Sequence, residues 1–181
     1  MKQINNVSLQ RHHLVVMLDN TIAMNKTLPR VTLLLCLILL AQVTFAGDLP
    51  DAKLTPGAID PAITQQNIQN TVCVKGYTKT VRPPAYYTNK LKKTQIIEYG
   101  YVDTNPKHYE EDHLVPLSIG GSPNDPLNLW PQPRLSGWNA QKKDVLEFKI
   151  YKLVCNGVVS LDEARHAMAH NWIDTYKRYL H

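Results

Sequence analysis

The sequence predicts an α+β fold. It is one small domain built on a strand, a loop, a second strand and a helix, flanked by further helices and closed by one disulfide. Three observations carry this. Residues 109–116 and 128–131 are short runs with apolar ends, separated by the turn-forming Gly120-Gly121-Ser122-Pro123. From Ala140 to Val154, Leu146, Ile150, Leu153 and Val154 recur at three- and four-residue steps, the stripe of an amphipathic helix. Cys73 and Cys155 bracket the whole unit.

The N-terminal stretch reads as an export signal. Lys26 and Arg30 precede the apolar run Val31 to Leu40, which is too short to span a bilayer comfortably, and small residues lead to a cleavage point after Ala46. Residues 1–23 read as a long basic extension or an upstream start. Cys36 follows Leu33-Leu34-Leu35, without the small residue expected before a lipidated cysteine. After cleavage two cysteines remain. An even number in an exported chain predicts a bridge, and closing so long a loop is worth about 4–5 kcal/mol in the chain-entropy model. No stable membrane association is expected once the signal is gone.

The chain has 20 Lys/Arg against 15 Asp/Glu, a net +5. Four of the basic residues and one Asp lie in residues 1–46, so the remainder holds 16 and 14, a net +2. Bulk charge is therefore a weak argument for a polyanionic partner. Composition is that of an ordinary globular protein, with no repeats and no low-complexity tract.

Residues 47–62, rich in Pro, Asp and Ala, read as a flexible leader to a domain over 63–181. Residues 63–74 suggest a short helix running into Cys73. Val74 to Val81 (VKGYTKTV) alternates loosely and reads as a short strand or extended arm. Arg82-Pro83-Pro84 forces extended backbone. Thr88 is the expected N-cap of a helix from Asn89 to Tyr99, stopped by Gly100, with Leu91, Ile96 and Ile97 inward. Its Lys90, Lys92 and Lys93 read as a solvated basic face. The surrounding tyrosines read as packing. After the central helix, Ser160 with Glu163 forms a capping box for a last helix. Leu161, Ala164, Met168, Trp172, Ile173, Tyr176 and Leu180 give it one apolar face. His166 and His170 share a face of that helix, but no third ligand motif accompanies them.

The chemistry sits between Tyr109 and Leu146. A histidine close to neutral pKa can take a proton from water, and His113 is so placed. A hard divalent cation held by an Asp and an Asn oxygen, Asp112 and Asn139, can polarise a phosphate. Lys142 and Lys143 lie in the first helical turn, where a phosphate oxygen can be met. A pair of catalytic carboxylates, as in a glycosidase, is not singled out by spacing.

These residues carry a resemblance. Asp112-His113-Leu114-Val115-Pro116, then Gly120-Gly121, Asn128-Leu129, and Asn139 with Lys142, resemble the HNH motif of the ββα-metal (His-Me finger) endonucleases. Thr71-Val72-Cys73, Tyr77-Thr78, Arg82-Pro83-Pro84, Tyr109 to His113 and Asn128 to Pro131 resemble small exported bacterial HNH-like proteins. The resemblance implies a ββα-metal core and an exported, periplasmic or secreted, endonuclease. It makes His113 the general base, Asp112 and Asn139 the metal ligands, and Asn128 the brace of the loop. It implies one divalent cation, Mg2+ or Mn2+, and nucleic acid as partner, DNA ahead of RNA. The chain lacks paired CxxC motifs, so no structural zinc is expected. The alternative is a catalytically inactive HNH-like scaffold that binds in the periplasm or at the cell envelope.

Overall fold

The computed structural model describes residues 47–180; the export segment and the expected cleavage after Ala46 lie outside them. The elements run in the order α1 (Tyr77–Val81), α2 (Ala85–Glu98), β1 (Tyr109–His113), β2 (Leu129–Pro133), α3 (Ala140–Cys155) and α4 (Leu161–Leu180), with 3-10 turns between them. Among the described residues no helix is long and apolar enough to cross a membrane.

β1 and β2 pair antiparallel, with Tyr109 opposite Pro133, Glu111 opposite Pro131 and His113 opposite Leu129. Two prolines in β2 withdraw N–H donors from the ladder, which keeps the ribbon to five residues a strand. Every residue of β2 is buried. α2 covers one side of the ribbon. Gln95 donates to Leu129 O at 2.8 Å, and Thr55 Oγ1 donates to the same carbonyl at 3.1 Å. Leu146, Ile150 and Val154 of α3 meet Leu161, Met168 and Trp172 of α4 in a core that also holds Ile96 and Trp130. Cys73 and Cys155 are disulfide-bonded across a sequence separation of 82.

The sequence reading needs five corrections. The supposed strand over 74–81 contains α1, entered through Gly76 at φ +90°, a left-handed backbone that turns the chain sharply. α2 begins at Ala85, because Pro84 presets the helical entry and Thr88 lies inside the first turns, its hydroxyl bonded to Ala85 O. Ile97 faces out, 67% exposed, while Ile96 is buried. The segment before Cys73 forms only a 3-10 turn, Ile68–Asn70. The leader is packed rather than loose. Gly57 N and Ala58 N donate to Leu127 O, Asp60 N donates to Gly120 O, and Thr55 is fully buried. Those bonds tie it to the loop between the strands. The last helix has one further feature: Asn171 (φ −161°, ψ 91°) breaks it, and Asn171 Oδ1 recaps the second part through the N–H groups of Ile173 and Asp174.

Glu111 lies inside β1 with both carboxylate oxygens buried and unpartnered. Burial pushes its pKa up to about 8, with Lys92 opposing and Asp112 reinforcing the rise. Its folded pKa lies above its unfolded one. Its contribution to stability is therefore fully present below about pH 4.3 and is lost as pH climbs through 8. The melting temperature of the wild type is expected to fall from pH 6 to pH 9, and Glu111→Met should flatten that slope. An unchanged slope in the variant would show that Glu111 is not its source.

Candidate functional site

The end of β1 opens on a cleft of about 420 Å³. One wall is the chain from Val72 to Thr78 with Arg82; the other is α3, through Asp144, Glu147, Phe148 and Tyr151. Asp112 and His113 stand at its floor. Alternation along β1 points these neighbours to opposite faces. Both reach the same cleft because the strand stops at His113.

His113 is 4% exposed, and its Nε2 lies 2.9 Å from Pro123 O. A carbonyl only accepts, so Nε2 carries the proton and Nδ1 is left with its lone pair. Burial lowers the His113 pKa, and the Pro123 carbonyl and Asp112 oppose that shift. The imidazole is therefore neutral at neutral pH, the form able to accept a proton.

The loop that supplies Pro123 is held by Asn128, which is fully buried. Its Oδ1 accepts from Val115 N at 2.8 Å, and its Nδ2 donates to Val115 O and Ser122 O, both at 3.0 Å. Asn128 thus fixes the backbone on both sides of the loop without facing the cleft. From behind, Arg165 of α4 donates to Ile119 O, Gly120 O and Ile63 O. A Cβ at Gly121 would fall 1.8 Å from Val115 O and 2.7 Å from Asn128 Nδ2. Gly121→Ala must therefore push the loop off its brace. A loss of at least about 3 kcal/mol is expected in denaturant unfolding; a loss below about 1 kcal/mol would mean the loop yields freely.

The chain matches no family model, no curated protein and no solved structure.

The structure brings Asp112, His113 and Lys143 together but places Asn139, Lys142 and Lys143 differently from expectation. Asn139 is the N-cap of α3, with Oδ1 accepting from Lys142 N at 3.1 Å, and it does not line the cleft. Lys142 bonds Gly137 O and lies over the Trp138 ring. Lys143 is fully buried. Its ammonium donates to Asp112 Oδ2 at 2.7 Å, to His113 O at 2.6 Å and to Glu147 Oε1. All three donors are spent, so no N–H is left for a phosphate. Burial alone would lower the Lys143 pKa, but Asp112 and Glu147 outweigh it and hold it raised.

Three cleft residues escaped the sequence reading: Asp144, Glu147 and Arg82. Burial raises the Asp144 pKa and the Asp112 charge adds to it; burial is also the first cause of the rise at Glu147. These carboxylates are hard oxygen donors suited to Mg2+ or Mn2+. Among the described residues, no three His, Cys, Asp or Glu side chains stand close enough to form a ready-made metal cage. Asp112, with one oxygen not bonded to Lys143, and Asp144 both line the cleft. The spacing of Asp144 and Glu147, three apart on one helix face, was the available signal.

Proposed function

We propose that the protein is an exported, divalent-metal-dependent endonuclease that hydrolyses phosphodiester bonds of nucleic acid. In this reading the β1–loop–β2–α3 unit is an HNH-type ββα-metal core. The observation that carries it is His113, buried at a strand end, its tautomer set by Pro123 O so that Nδ1 keeps its lone pair, with Asp112 lining the same open cleft. Nδ1 takes the proton of the attacking water. Arg82, exposed on the cleft wall, meets a non-bridging phosphate oxygen. Lys143 holds Asp112 in place and Asn128 holds the loop. Asp112 and Asp144 would hold the cation, which when bound supplies positive charge to the phosphate and the departing oxygen.

One observation favours the inactive-scaffold alternative. The Lys143 ammonium already balances Asp112 and Glu147, as an internal cation would. Nicking of supercoiled plasmid DNA by the purified protein separates the two. Nicking with Mg2+ or Mn2+ that stops with chelator supports the nuclease; no nicking under any divalent cation overturns it.

A further inference from the structure

A second concavity of about 420 Å³ lies away from the cleft, lined by Asn89, Lys92, Lys93, Lys107, Tyr109 and Arg134, with Pro106 at its edge. Its four cations come from three separate parts of the chain: α2, the turn before β1 and the residue after β2. No acidic side chain lines it. Glu110 pairs with Arg134 at 3.0 Å, and Lys92 donates to Tyr109 O at 3.3 Å. The Lys92 charge also acts on Glu111, while Lys93 and Lys107 are exposed and form no ion pair with a described residue. A protein with little net charge beyond residue 46 has therefore gathered four cations in one hollow.

We infer that this hollow is an accessory phosphate-binding site that grips the nucleic-acid backbone beyond the scissile bond. The ligand class rests on the nuclease reading; the charge convergence does not. Distance is suitable. Tyr109 and His113 are the two ends of β1, four residues apart, about 13 Å at the usual rise per residue. Phosphates of one DNA strand recur about every 3.4 Å along the duplex axis, so a duplex lying along β1 would present a phosphate to the hollow about four nucleotides from the reacting one. The three lysines that line it point at phosphate rather than at bases, because a lysine ammonium is a compact charge without the planar fork that reads a base edge.

The test is fluorescence anisotropy with a short labelled DNA duplex, in chelator so that no cleavage occurs, across a series of salt concentrations. Lys93→Gln/Lys107→Gln changes two exposed lysines. It should weaken binding severalfold and lower the slope of log affinity against log salt by about 2, one unit per lost contact. Lys53→Gln/Arg178→Gln removes the same charge elsewhere and should leave the slope unchanged. Equal loss in both doubles, or no measurable binding by the wild type, overturns the site. His113→Ala should keep the wild-type slope; losing it would place the grip in the cleft and overturn the inference. A protein that binds with the expected slopes but never nicks plasmid keeps this site and loses the nuclease reading. One that nicks, with slopes unmoved by the lysine pair, does the reverse.

Discussion

His113→Ala is expected to lower plasmid nicking by about 10²–10⁴-fold, the usual worth of a positioned general base. The Pro123 carbonyl holds Nε2, so only Nδ1 is free, and the loop carrying Pro123 is tied at Val115 and Ser122 by Asn128. Among the described residues no other imidazole replaces it: His108 lies against Asp103, and His166 and His170 stack on each other on α4. The variant's circular dichroism and melting curve must show an intact fold. Wild-type activity in a folded His113→Ala protein would remove His113 from the chemistry.

Lys143→Met is expected to cost about 3 kcal/mol in urea unfolding, at the lower end of what removing one partner of a buried ion pair costs. The ammonium is fully buried, whereas the Asp112 and Glu147 side chains keep 14% and 22% exposure, and that residual solvation tempers the loss. Met restores the volume but leaves two facing carboxylates and the His113 carbonyl without their donor. Lys143→Arg should not rescue it, since a planar guanidinium cannot occupy the compact ammonium's place among three acceptors. A loss under about 1 kcal/mol for Lys143→Met would show that these carboxylates find water easily.

What the sequence made legible was local. The Gly-Gly turn between apolar-ended runs specified β1 and β2, and the apolar steps from Leu146 to Val154 specified α3 to within a residue. The bracing role of Asn128 is implied by the HNH resemblance alone, and its bonds to Val115 and Ser122 match that role. What it hid was set by distant contacts. The Pro/Asp/Ala composition of 47–62 reads as loop whether or not Leu127 and Gly120 receive its N–H groups. Lys143, in the first helical turn, reads as a phosphate contact; lysine is almost never fully buried unless paired, and its partners Asp112 and Glu147 meet it only in the fold. The cleft's Arg82 and Asp144 lie 62 residues apart in the chain and meet only through tertiary packing. The break at Asn171 was invisible because the apolar pattern continues across it.

The Cys73–Cys155 bond encloses β1, β2, the loop between them and all of α3 in one covalent ring. A protease that cuts within that ring, at exposed Asn124 or Leu127 for instance, opens a circle instead of severing a line. Both cleft walls stay on the same molecule, and the nicked chain runs as one species until a reductant divides it in two.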